Sequence, residues 1–215
     1  PQLRTDHGDS ELWLIDLGHG KNRLGASALA YVYDELGHTP PNLEEGRTLR
    51  MFFTAIQALN TKGLLLAYHD RSDGGLWATL CEMAFAGRTG LDLDVSALGA
   101  DSIRVLFTEE LGAVVQVKAQ DRSEFLALLE AHDLSAWSHK VGTPSADNRI
   151  RIHRDGQVIL DQDLMSLYAD WTETSHHIQV LRDNPECARE ERQSNLSLDN
   201  LGLHADLRFD ANETF

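Results

Sequence analysis

Two aspartates, a serine and a pair of glycines stand close together in "AYHDRSDGGLWATL" (67–80), at Asp70, Ser72, Asp73, Gly74 and Gly75. The stretch follows an apolar run and precedes a helical pattern, which is where backbone N–H groups converge on an anion. Gly74 and Gly75 let the backbone come close to a phosphate. Ser72 offers a hydroxyl, and Asp70, at the end of the run, offers oxygen to Mg²⁺. The same residues also make an ordinary helix start, with Ser72 or Asp73 as cap and the glycines as turn residues. Spacing fits both readings.

Spacing does exclude several other chemistries. No G-x-x-x-x-G-K-[ST] phosphate loop is present, and no G-x-S-x-G elbow. Asp70 and Asp73 lie three apart, unlike the Asp-x-Asp of phosphatases with an aspartyl nucleophile. His69 adjoins these groups in the chain, and such neighbours seldom face one another as a triad. "LGHGKNRLG" (17–25) places glycines at 18, 20 and 25, which does not match G-x-G-x-x-G and reads as a turn. Glu109 and Glu110 in "LFTEELG" read as a solvated helix end rather than a cation site. His176 and His177 would point about 100° apart on a helix, a poor metal pair, and read as surface residues. Leu167, Trp171, Ile178 and Leu181 read as a packing stripe, and Cys81 as inert core.

The elements that must hold these groups follow from hydrophobic periodicity. "ELWLIDLG" (11–18) is a strand, and "GKNRLGASALAYVYDELG" (20–37) a Gly-rich turn leading into a helix. "RTLRMFFTAIQALNTKG" (47–63) is an amphipathic helix with Leu49, Phe52, Phe53, Ile56 and Leu59 on one stripe. "LLLAYHD" is a strand and "GLWATLCEMAFAGRTG" a helix; "GLDLDVS" and "AVVQVKA" are strands, with "DSIRVLFTEELG" a short helical segment between them. "DRSEFLALLEAHDL" is a helix, and "SHKVGTPS" and "RIRIHRDGQVILDQDL" close the sheet, the latter as a hairpin. "MSLYADWTETSHHIQVLRDNPECARE" is a long terminal helix stopped near Pro185. The fold class is therefore α+β, a mixed, largely antiparallel sheet flanked by helices.

The chain has 215 residues and a net charge of −15, with 42% hydrophobic and 25% charged residues. That composition describes a globular chain and opposes a general nucleic-acid binder, which needs a basic face. No apolar run approaches the roughly 20 residues of a membrane span. Two cysteines far apart give neither a disulfide framework nor a zinc site, which fits a reducing, cytoplasmic setting. The chain starts without methionine, as expected of a piece of something longer.

The stretches "LIDLGHGKNRLGASALA", "LLLAYHDRSDGGLWATLCEMAFAG", "LFTEELGAVVQV" and "LRDNPECA" together resemble the large bacterial phosphoribosylformylglycinamidine synthase family. The resemblance runs from about Glu11 to the C-terminus, including "LRFDANE". It implies a fold like the C-terminal domain of aminoimidazole-ribonucleotide synthetase, partly similar to a ferredoxin-like arrangement. Residues 1–187 would form the second such subdomain, and 188–215 a polar arm leading to a glutaminase domain. The resemblance further implies that Asp70 is a Mg²⁺ ligand and that Ser72 contacts ATP or ADP, with Gly74 and Gly75 beside it. His69 and Asp73 would lie in the surrounding shell. The expected partners are the other domains of the same polypeptide, namely a nucleotide-binding subdomain and the glutaminase. The isolated piece is expected to hold only half a site, with no catalytic residue of its own.

Overall fold

The computed structural model describes residues 1–200, 202 and 205–210. Most of the "LHADLRFDANETF" segment (203–215), including the end of "LRFDANE", lies outside them. Two compact units are distinguished, Pro1–Leu167 and a second from Tyr168 onward.

In the first unit the chain runs β1 (Ser10–Asp16), α1 (Ala28–Val32), α2 (Gly46–Thr61), β2 (Leu65–Asp70), α3 (Gly75–Gly87) and β3 (Gly90–Asp94). It continues with α4 (Ser102–Phe107), β4 (Gly112–Lys118), α5 (Arg122–Ala131), β5 (Ser138–Ser145), β6 (Arg149–Arg154) and β7 (Gln157–Asp163). The strands form one sheet in the order β2-β4-β1-β5-β3-β6-β7. Among the described residues only the β3–β6 pair is parallel; the other pairs are antiparallel. The expected mixed, largely antiparallel sheet is what forms.

The central strands bury both faces, so alternate residues serve two different cores. On β1, Leu12 and Leu14 join α3 residues such as Leu76, Leu80 and Met83. Trp13 and Ile15 face the other way, toward Phe52 and Leu59 of α2 and Phe125 and Leu129 of α5. The Trp13 and Phe125 rings meet at 5.5 Å in a tilted arrangement. Each such fully buried side chain stabilises the fold by about 1.5–3 kcal/mol.

Several sequence expectations change here. Residues 20–37 form only the five-residue helix α1. Asn22, Ala26 and Asp34 take positive φ, which a right-handed helix does not tolerate. The stretch instead closes as a loop through Gly25 N to Thr39 O (2.8 Å) and Ala26 N to Leu36 O (2.7 Å). On α2 the buried face is Phe52, Ala55 and Leu59, while Leu49 and Phe53 are exposed. The interior stripe is narrower than the apolar one.

Beyond the sheet, α6 (Leu164–Arg182) ends just before Pro185. Pro185 does not close the helical region. It occupies the first turn of a further helix, α7 (Pro185–Asn195), where its missing N–H costs nothing. Asn184 caps that helix through Oδ1, which accepts from Glu186 N and Cys187 N. The polar run from 188 is thus helical as far as Asn195. Of the expected packing stripe on α6, Leu167 packs against the core, while Trp171, Ile178 and Leu181 are exposed among the described residues.

One buried acid ties β1 to its neighbours. Glu11 accepts from Arg122 Nε (2.8 Å), Lys140 Nζ (2.8 Å) and Trp13 Nε1 (3.2 Å). Burial alone would raise its pKa, but these donors outweigh that and bring it from 4.5 to about 2. A depressed folded-state pKa gives stability that is present above the unfolded value and lost as pH falls through the folded one. Unfolding free energy should therefore fall between about pH 4.5 and 2, and more in wild type than in Glu11→Gln. Urea denaturation at a series of pH values tests this, and parallel curves for the two proteins would refute it.

Candidate functional site

The 70–75 loop is set by what lies beneath it. β2 delivers Asp70 at its last position, and α3 starts at Gly75. Between them Arg71 turns inward and is buried. Its Nε donates to Glu110 O (2.5 Å), and its Nη2 to Leu111 O (3.0 Å) and to the Asp16 carboxylate. Asp16 also accepts from Gly18 N (3.0 Å) and Gly20 N (2.7 Å), so the 17–25 stretch is a turn organised by one carboxylate. This matches its reading as a structural turn.

The two glutamates of "TEELG" depart from expectation. Glu110 is buried and binds Arg23 through Nε to Oε1 (2.5 Å) and Nη2 to Oε2 (2.8 Å). Such paired contacts are the strong geometry for a guanidinium and a carboxylate. Glu109 Oε1 accepts from Gly74 N and from Ala28 N, both at 2.8 Å. Rather than a solvated helix end, the pair comprises one interior anchor and one carboxylate joining the starts of α1 and α3.

Gly74 and Gly75 have φ of +81° and +68°. At Gly75 a Cβ would lie 2.6 Å from Thr108 O, so only glycine allows α3 to start against that strand-entry segment. The Gly75 N–H donates to Ser72 O (2.9 Å). Ser72 and Asp73 are exposed at the loop surface. No side-chain cap from either reaches the helix start; the cap comes from Glu109.

Asp70 is exposed, and its Oδ1 accepts from the Tyr68 hydroxyl. Burial, with Asp70 adding to it, holds Tyr68 above the ordinary tyrosine range, so the hydroxyl stays a donor. His69 lies on the opposite side of the strand, with Nε2 2.8 Å from Glu82 Oε2 and Nδ1 2.8 Å from Asp70 O. Cys81 is buried in the α3 core, and burial pushes its thiol well up, as an inert core residue requires.

The arrangement presents one exposed carboxylate, one exposed hydroxyl and one helix-start N–H that already holds a carboxylate oxygen. Glu109 Oε1 demonstrates that an anionic oxygen fits at Gly74 N. Among the described residues, no group of three or more His, Cys, Asp and Glu side chains could hold a metal ion. Asp70 by itself could supply only part of a Mg²⁺ shell, which takes near-octahedral oxygen ligands.

This fold and loop define a domain of the aminoimidazole-ribonucleotide-synthetase type. The family described as AIR synthase related protein, C-terminal domain, matches residues 11–155, and this chain belongs to that family. Among solved structures, Thermotoga maritima PurL complexed with ATP matches at 13% identity and a TM-score of 0.60, over 77% of this chain and 26% of that one. T. maritima phosphoribosylformylglycinamidine synthase II matches at 13% identity and 0.61, over 77% and 27%. Escherichia coli HypE, a hydrogenase maturation protein, matches at 21% identity and 0.50, over 72% and 49%. These likenesses concern the fold. The chain spans about a quarter of the T. maritima chains it matches. Among the described residues no helix is long and apolar enough to cross a membrane.

Proposed function

We propose that this chain is one synthetase-like C-terminal subdomain of a phosphoribosylformylglycinamidine synthase. That enzyme would convert formylglycinamide ribonucleotide, glutamine and ATP to the amidine, glutamate, ADP and phosphate in purine biosynthesis in the cytoplasm. Residues 1–187 would be the subdomain, and 188–215 the connection to a glutaminase domain. The observation that carries the reading is the loop itself: Asp70 and Ser72 point outward while Arg71 anchors the loop from below. Asp70 would bind Mg²⁺, which when bound offsets the charge of nucleotide phosphates. Ser72 would contact the nucleotide, and the Gly74 N–H would meet a phosphate oxygen, with Gly75 allowing the close packing. Tyr31, Val32 and Tyr33, largely exposed at the end of α1 and its C-cap, suit cover by a further domain of the same polypeptide.

Glu109 favours a second reading, because its carboxylate already caps Gly74 N. In that reading the domain is a non-catalytic interaction module and the loop only a capped turn. One experiment separates the two. In the protein with its neighbouring domains, Asp70→Ala should weaken Mg-ADP retention at least tenfold, measured by calorimetry. Unchanged retention would leave the capped turn as the better account. The isolated chain should bind Mg-ADP weakly and show no synthase turnover.

A further inference from the structure

One anionic oxygen already sits at the helix start that a bound phosphate would need. Glu109 Oε1 lies 2.8 Å from the N–H nitrogen of Gly74, the N-cap of α3, and 2.8 Å from Ala28 N at the start of α1. A backbone N–H has one proton to donate. Gly74 N therefore cannot serve a carboxylate and a phosphate at full strength together. Their like charges, brought to the same point, add repulsion to that competition.

Glu109 and its neighbour are held very differently. Glu110 is buried and tied at two points to Arg23. Glu109 is only half-buried, its hydrogen-bond partners are the two backbone N–H groups, and among the described residues no Lys or Arg pairs with it. Ala28 is exposed, so water can take over its N–H when the carboxylate leaves. The loop has supports of its own besides Glu109. Arg71 donates to Glu110 O, Leu111 O and Asp16, and Gly75 N–H closes the turn onto Ser72 O at 2.9 Å.

We infer that Glu109 is an internal competitor for the phosphate position: it occupies Gly74 N while the loop is empty and swings away when a nucleotide phosphate takes its place. This role rests on the nucleotide reading of the 70–75 loop and gives that site a regulatory contact. The same oxygen holds Ala28 N, so its departure also releases the start of α1. Occupancy of the loop is thereby transmitted to a helix that carries the exposed Tyr31 and Val32. A competitor of this kind lowers apparent affinity by the fraction of molecules it keeps closed. Removing it should therefore tighten binding, the opposite of what loss of a contact residue does.

The test is calorimetry with Mg-ADP on the protein with its neighbouring domains. Glu109→Ala should tighten binding by about threefold to tenfold, and Glu109→Gln, which keeps an acceptor oxygen without the charge, by a smaller factor. In the wild type, saturating Mg-ADP should speed hydrogen exchange at Ala28 N–H at least threefold, on the order expected when its acceptor leaves. In Glu109→Ala the same addition should leave that rate unchanged. Unchanged or weaker binding in both Glu109 variants, with Asp70→Ala still weakening it, would overturn the competitor role and leave the nucleotide site standing. So would an Ala28 exchange rate that Mg-ADP does not raise in the wild type. Unchanged retention in Asp70→Ala would remove the nucleotide reading itself, and the competitor with it.

Discussion

Arg71→Met should lower the unfolding free energy by about 3–5 kcal/mol, the cost expected when one partner of a buried ion pair is removed. The substitution keeps much of the side-chain volume, so the loss is electrostatic rather than a cavity. It leaves the Asp16 carboxylate buried without its guanidinium, and it strips donors from the carbonyls of Glu110 and Leu111. Replacing Asp16 as well should recover only part of the loss. Asp16 also accepts from Gly18 N and Gly20 N, and an apolar side chain would orphan both. Chemical denaturation of the two single variants and the double variant measures this. A loss below about 1 kcal/mol for Arg71→Met, as for exposed pairs, would refute the anchoring role.

The adjacent glutamates should separate sharply. Glu110→Ala should cost about 2–5 kcal/mol, because it empties an interior position and removes both carboxylate contacts to Arg23, which keeps only Glu44 and the Asn42 carbonyl as acceptors. Glu109→Ala should cost about 1 kcal/mol, the usual value of a helix cap, although it serves two helix starts. A double-mutant cycle between Arg23 and Glu110 should return a coupling of about 1 kcal/mol or more, since the two are in direct contact. Equal losses at 109 and 110 would mean that the burial difference between these neighbours has no energetic consequence.

Much of the sheet was legible in the sequence because strands such as β1, β3, β4 and β6 carry their own apolar pattern. β1, β4 and the β6–β7 hairpin needed no information from elsewhere. The helix expected after the Gly-rich turn of 20–37 does form but stops at Val32, because Asp34, a non-glycine residue that gives little local warning of it, takes positive φ. The stripe of Leu167, Trp171, Ile178 and Leu181 does form a helix, but only Leu167 meets the core, because periodicity does not say what a face meets. At the site, Asp70 and Ser72 stood out by residue type. Arg71 and Glu110 did not, since their roles depend on partners far along the chain, Asp16 and Arg23, brought together only by the sheet order. Local patterns specify elements; long-range ion pairs appear only once the strands are aligned.

The alternation along "YHDRS" has a practical consequence. Tyr68 and Asp70 lie together on one side of the chain, while His69 turns toward α3 and Arg71 into the interior. Neighbouring letters of one short string therefore answer to different demands. A complete substitution scan of residues 68–72 should give two distinct tolerance profiles, one tracking expression level and heat resistance, the other tracking ligand retention. Tolerance at position 70 should then be broad in the first assay and narrow in the second, with the reverse ordering for position 71 at the level of folding.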